Sequence, residues 1–286
     1  MTERRFGPGE FYGDWEIRRS VSGFALGSFR ASFREPVETH SHDCAHFVLV
    51  LSGGYVTGAR GADEVMCAPT LLFNPAGTRH RDRFAGGGGR FVTVSLDGLA
   101  GPERYPLLDG PPVVLPDTFA LRAARLIERE LRRPAASGLV LEAAAWQLVM
   151  SGSEERAGTD PPRWLGRAVE MIRDTDPADL SVGAVAAVAG VHPVHLARVF
   201  RDWLGCTPGE YLRGRRLERA AALVGRTALA LADVAAATGY ADQAHMTHAF
   251  RRGLAMTPDA LRRNGDVAPL QDAVGAVAQI SGPASD

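Results

Sequence analysis

The chain has 286 residues, 45% of them hydrophobic and 23% charged, with a formal net charge of −1. That profile predicts a soluble globular protein with room for two ordinary domains. No run of 18 apolar residues and no basic lead followed by an apolar stretch occurs, so neither a membrane-spanning helix nor a secretory signal is expected and the expected location is the cytoplasm. Three cysteines (Cys44, Cys67 and Cys206) without regular spacing argue against a disulfide framework. Residues 160 to 264 carry 14 Arg against 11 acids. An excess of that size does not separate a DNA-binding surface from a solvated one.

Residues 1 to 23 give no strong signal and are expected to wrap the first domain. From Phe24 to about Val94 the chain consists of short apolar runs such as Phe47-Val48-Leu49-Val50-Leu51, Thr70-Leu71-Leu72-Phe73 and Phe91-Val92-Thr93-Val94, punctuated by Gly, Pro and Asn. Many short strands with regular turn signals predict an antiparallel sandwich or barrel. The glycines at 86 to 89 predict a flexible loop between strands. A phosphate cradle is disfavoured because a strand, not a helix, follows them.

Within that region, Thr39 to His46 starts a strand-like run, in which alternate residues His40, His42, Cys44 and His46 would share one face. His80 follows Pro75-Ala76-Gly77 farther along. Neutral imidazole is a good ligand for zinc, copper, nickel and iron, so His40, His42, His46 and His80 are candidate ligands of a divalent transition metal. Cys44 could join them, or it and Cys67 could act as redox-sensitive thiols. The arrangement H-x-H-x3-H-x6-G followed by P-x-G-x2-H resembles the two motifs of the cupin barrel, in which two His, a Glu and a third His bind a metal. Here His46 occupies the Glu position, and Phe84 stands where Asn is common. The resemblance implies a cupin-like antiparallel barrel over residues 1 to 116 that holds a small organic effector or a metal.

From Asp117 the period changes. Phe119, Leu121, Ala124, Leu126, Ile127 and Leu131 describe one amphipathic helix, and Leu139 to Met150 describe another after the break at Pro134 to Gly138. Residues 117 to 150 therefore form a helical segment placed to cover the barrel. Residues 151 to 162 are polar, with two Gly and two Pro, and read as a linker. Helical patterns fill 163 to 264, and the Gly-, Ala- and Ser-rich residues 265 to 286 are expected to be disordered.

The C-terminal half contains a repeat. Val185-Ala186-Ala187-Val188-Ala189-Gly190 and Phe200-Arg201 through Thr207-Pro208 recur as Val234-Ala235-Ala236-Ala237-Thr238-Gly239 and Phe250-Arg251 through Thr257-Pro258, about fifty residues later. Each copy reads as a helix, a glycine turn and a second helix, the layout of a helix-turn-helix. In the first copy Ser181 is the predicted N-cap, Gly190 the turn and Pro193 the first helical residue. Helical spacing turns Leu196, Val199, Phe200 and Trp203 inward and leaves Val194, Ala197, Arg198 and Arg201 outward. In the second, Asp242 is the predicted cap and Met246, Phe250 and Leu254 turn inward. Gln243, Ala244, His245, Thr247, His248 and Arg251 turn outward. Gln, His and Arg are side-chain types that reach base edges, and Ala and Val can meet a thymine methyl. Arg198 is the best candidate for a base contact. Arg201, Arg215, Arg219 and Arg251 suit phosphate or solvent, and His195 suits packing or the phosphate side.

Residues 163 to 263 resemble the AraC/XylS family of bacterial transcription regulators, most tellingly from Arg216-Leu217-x-x-Ala220 through Gly239-Tyr240-x-Asp242-Gln243-x-His245 to Phe250 and Thr257-Pro258. Met246 and His248 stand where the family more often has Phe or Leu and Arg, and Ala255 replaces a frequent Gly. The resemblance implies two units joined by a long helix over about Pro208 to Val224, binding successive major-groove segments of duplex DNA. It further implies an activator that contacts RNA polymerase, a homodimer formed through residues 117 to 150, the alternative being that this segment only covers the barrel, and a small-molecule or metal effector. The fold class expected is thus α+β: an N-terminal antiparallel cupin-like β-barrel with helices, then an all-α domain with two helix-turn-helix units. The alternative is a metal-dependent cupin enzyme with an accessory helical domain. The cupin Glu and Asn that this alternative calls for are absent, and both helix-turn-helix copies are present in full.

Overall fold

The computed structural model describes residues 4–31, 37–59, 64–67, 69–98, 110–115, 118–152 and 161–264. Its strands are β1 (Arg4–Phe6), β2 (Asp14–Val21), β3 (Phe24–Arg30), β4 (His40–His42), β5 (His46–Thr57), β6 (Glu64–Cys67), β7 (Thr70–Asn74), β8 (Arg83–Leu96) and β9 (Val113–Val114). Seven of them form an antiparallel sheet in the order β2-β3-β8-β5-β7-β9, with β6 also paired to β5. β1 and β4 make a separate parallel pair. Among the described residues β2 pairs only with β3 and β9 only with β7, so the sheet is open where a closed barrel was expected.

Strand alternation sorts β5 into two faces. Phe47 and Leu49 join a core shared with the helices, whereas Val48 and Val50 join Phe29, Phe84 and Phe91 on the opposite side. The glycine run departs from expectation. Residues 86 to 89 lie within β8, and the ladder jumps from Ser52↔Arg90 to Gly54↔Ala85 across them. Four residues on β8 thus bulge opposite a single residue of β5, with Gly86 at φ 64°, where a side chain is disfavoured.

The helices are α1 (Thr118–Leu131), α2 (Gly138–Val149), α3 (Arg163–Asp174), α4 (Val182–Ala189), α5 (Pro193–Leu204), α6 (Pro208–Arg226), α7 (Leu231–Ala237), α8 (Gln243–Leu254) and α9 (Pro258–Asn264), with a 3₁₀ turn at Met150–Gly152. The predicted stripe of α1 is buried except for Leu126, which is 40% exposed. No single helix among the described residues is long and apolar enough to cross a membrane; the pair α4–α5 passes by composition only and is bent by 91°.

One apolar core runs from Phe24, Leu26, Phe47 and Phe73 of the sheet through α1 and α2 into Leu165, Val185, Leu196 and Phe200. A second joins Val56, Val65 and Cys67 at the far end of the sheet to Leu217, Val224, Phe250 and Leu254. Apolar packing therefore crosses the expected boundary at 151 to 162, so both helix-turn-helix units lean on the N-terminal half. Of that stretch, residues 153 to 160 lie outside the described residues, as does the whole of 265 to 286.

Candidate DNA-reading helices and a buried histidine cluster

Local signals build each reading head. Ser181 accepts the amide of Ala184 at the start of α4, Gly190 ends it in the left-handed conformation (φ 67°), and Pro193 opens α5 at its first turn. The 91° bend between α4 and α5 is that of a helix-turn-helix. Leu196, Val199, Phe200 and Trp203 are buried, as their spacing predicted. Val194 is 70% exposed. Arg198 and Arg201 are exposed and Ala197 is half-buried. His195 is half-buried, its ring centroid 5.6 Å from that of Trp164, and its Nδ1 lies 3.0 Å from Arg198 Nη2. It is a packing residue that braces Arg198.

In the second unit Asp242 accepts the amide of His245 at 2.7 Å. Gln243, Ala244, His245, His248 and Arg251 are exposed, Thr247 is half-buried, and Met246, Phe250 and Leu254 are fully buried. Between the units α6 starts with a reciprocal Thr207–Glu210 capping box, which fixes its first turn. Arg215 pairs with Glu218 and Arg219 with Asp176, and both border a cleft against β6.

The four candidate histidines are all buried. His40 and His42 sit on β4, which pairs with β1 beneath the N-terminal segment. The chain leaves strand geometry at Asp43–Ala45 before His46 begins β5, so the single face expected over 40 to 46 is interrupted. Cys44 consequently turns to Ser95 and not to the imidazoles. His80 is brought in by a bridge to His40, with backbone hydrogen bonds of 3.0 Å in both directions. Phe6, Phe11 and Tyr12 close over the rings.

Three of the four converge: one ring nitrogen each from His40, His42 and His80 lie within 4.8 Å of one another. His40 Nδ1 is 2.8 Å from the Glu38 carbonyl and His80 Nδ1 is 3.1 Å from that of Thr78. A carbonyl only accepts, so both Nδ1 atoms carry the proton and leave Nε2 as a lone pair. Both nitrogens of His42 are buried without a hydrogen-bond partner. His46 differs, because its Nδ1 faces the Cys44 carbonyl and its Nε2 is 3.3 Å from Asn74 Nδ2. That partner set makes His46 a wall of the site, not a member of the converging group.

Burial lowers the pKa of His40, and burial together with the neighbouring imidazoles pushes His42 down and His46 to about 3. His40 and His42 are therefore neutral at ordinary pH and hold lone pairs for a Lewis acid. Asp82, which sequence reasoning missed, has a nearly buried carboxylate 3.9 Å from His80 Nε2. Its Oδ2 accepts the Tyr55 hydroxyl at 2.7 Å and its Oδ1 has no partner. The His-x-Asp spacing was the only trace of it in the sequence. Three converging imidazoles, one of them without a hydrogen-bond partner, and a nearby carboxylate fit a divalent transition metal. The thiols do not suit an oxidation sensor, because burial raises the pKa of Cys44 and, strongly, of Cys67.

A family model described as a helix-turn-helix domain matches residues 185–264. The chain is 36% identical over 124 residues to the HTH-type transcriptional regulator GlxA of Rhizobium meliloti (strain 1021), a match covering 43% of this chain and 37% of that protein. It is 36% identical over 86 residues to the probable transcription factor PqrA of Proteus vulgaris, covering 30% and 70% respectively. A putative AraC-like transcription regulator of Streptomyces lividans is 31% identical over 192 residues, covering 63% of this chain and 62% of that one. The match thus spans little more than a third of GlxA and most of PqrA. Each of these relatives carries the name of a transcription regulator or transcription factor, and none that of a cupin enzyme. Two helix-turn-helix units built as the repeat predicted, matched in sequence to such regulators, place this chain in the AraC family of DNA-binding transcription regulators.

Proposed function

We propose that the chain reads a specific duplex site with α5 and α8 and that a divalent transition metal in its N-terminal half controls this binding. In α5 the reading residues are Val194, Ala197, Arg198 and Arg201. In α8 they are Gln243, Ala244, His245, Thr247, His248 and Arg251. Helix α6 has 19 residues, hence a length of about 28 Å, close to the ~34 Å turn of duplex DNA, which suits two heads in successive major-groove segments of one face. We read the sheet as a cupin-like module on its H-x-H-x3-H and P-x-G-x2-H motifs. His40, His42 and His80 would hold the metal and Asp82 would complete or orient the set. Bound there, the ion supplies a fixed positive charge that crosslinks β4 to the segment after β7. It can alter DNA binding only through different affinity for two arrangements of the protein. The protein acts inside the cell, where DNA is, as a homodimer through α1 and α2, and contacts RNA polymerase where it activates.

The observation that carries metal control is His42, with two buried ring nitrogens and no partner for either. Removing the metal tests it. Wild type stripped with a chelator and dialysed against zinc, nickel, copper or iron should retain about one ion per chain, and folded His42→Ala should retain none. With an operator selected from random duplexes, metal should change the dissociation constant at least several-fold for wild type only. Wild type that takes up none of these ions would overturn metal control while leaving DNA reading intact.

A further inference from the structure

The two reading heads carry the same side chain at the same place. His195 of α5 and His245 of α8 are 50 residues apart, the offset that also relates Phe200 to Phe250 and Thr207 to Thr257. Each imidazole is steadied by an aromatic ring from outside its own helix. His195 lies against Trp164 of α3, with ring centroids 5.6 Å apart, and His245 meets Tyr240 edge-on at 5.3 Å. One helical turn further on the copies diverge, because Arg198 in α5 is matched by His248 in α8. Arg198 Nη2 lies 3.0 Å from His195 Nδ1. A guanidinium only donates, so Nδ1 is the acceptor and the imidazole proton sits on Nε2. The bond takes one N–H of the fork and leaves others for the paired acceptors on the edge of a guanine.

We propose that His195 is a specificity-determining positioning residue: braced by Trp164, it presets Arg198 for one guanine-containing base pair. An arginine on a helix surface samples many rotamers and gives up that freedom when it meets a base. Here Trp164 holds the ring and the ring holds the guanidinium, so part of that loss is taken before DNA arrives. In the second head His245 is held in its turn by Tyr240 but meets no guanidinium at the matching position. The inference rests on the reading of DNA by α5 and adds to it that the first head discriminates more sharply than the second.

The test uses the full chain, a duplex operator that the wild type selects from random sequences, and every single base-pair substitution of that operator. Arg198→Ala should erase discrimination at one base pair, which marks its contact. At that pair His195→Phe, which keeps a ring against Trp164 but has no acceptor, should lower discrimination about three- to tenfold, with random duplex bound within about twofold of wild type. His195→Asn, whose amide oxygen takes the place of Nδ1 as acceptor, should restore most of the loss. In the Arg198→Ala background His195→Phe should change nothing further. The repeat supplies a gain as well: His248→Arg should strengthen one guanine preference in the second half of the site, and the gain should fall about threefold or more when His245 is also made Phe. Discrimination unchanged by Arg198→Ala would remove the reading by Arg198 and this inference with it. If Arg198→Ala relaxes one pair but folded His195→Phe does not, the reading stands and the bracing is overturned. Equal losses in His195→Phe and His195→Asn would make the role structural and overturn it too. Should His195→Phe fail to fold, the His248→Arg gain decides, and a gain indifferent to His245 overturns the proposal.

Discussion

The two helix-turn-helix units are built to one plan but rest on different supports. The first is carried by a helix: Arg122 stacks over Trp203 at 4.3 Å, and Arg125 lies so close to Gly205 that a Cβ there would be 2.7 Å from its Nε. The second is seated on the sheet itself. A Cβ on Gly54 would lie 2.1 Å from Leu254, and one on Gly86 would lie 2.3 Å from the Leu254 carbonyl. The turn glycines differ in the same way. Gly190 has open space around it, whereas a Cβ on Gly239 would lie 2.7 Å from the Ala178 backbone. Equivalent positions in a repeat therefore share local conformation but not neighbours, and the neighbours set what a substitution costs.

The sharpest test of that difference is the pair of turn substitutions. Gly239→Ala meets both left-handed strain and an unyielding backbone, and should destabilise by about 2–4 kcal/mol. Gly190→Ala meets the strain alone and should cost about 1 kcal/mol. Chemical denaturation of both variants measures the gap, and equal losses would show that Ala178 gives way.

A smaller effect separates the heads as readers. Arg198→Ala should cost about 1–3 kcal/mol of discrimination between specific and random duplex. His248→Ala should cost less than half as much, because an imidazole cannot make the two-pronged base contact of a guanidinium. Loss of specific and random binding alike would instead assign Arg198 to phosphate.

The smallest effect lies at the ends of the reading helices. Gly205 closes α5 at φ 70°, and Ala255 closes α8 at φ 55° in the same left-handed region. Because Ala255 is exposed, Ala255→Gly removes strain without losing packing and should stabilise by about 0.5–1 kcal/mol, net of the greater freedom glycine has when unfolded. Thermal melting resolves a shift of that size, and a lower midpoint would show that the strain is already relaxed.

The reading heads were legible because their signals are local. Ser181, Asp242, Pro193 and Gly190 each act within one turn of helix, and the inward spacing of Leu196, Val199, Phe200 and Trp203 is a property of a 3.6-residue period. The histidine site was half legible. His40 and His42 share a face two residues apart, but strand geometry stops at Asp43, and the alternation could not say that His46 would turn to Asn74 or that Asp82 would come near His80. The glycine run misled because a bulge is defined by what pairs across from it.

The sequence alone determined the family, the two heads and their caps, since these depend on residues within a few positions of one another. Tertiary structure decided which imidazoles meet, that the sheet stays open, and that α6 is tied through Glu218 to Cys67, 151 residues away along the chain. Such contacts are chosen by competition among all buried surfaces at once, and no window of sequence carries that information.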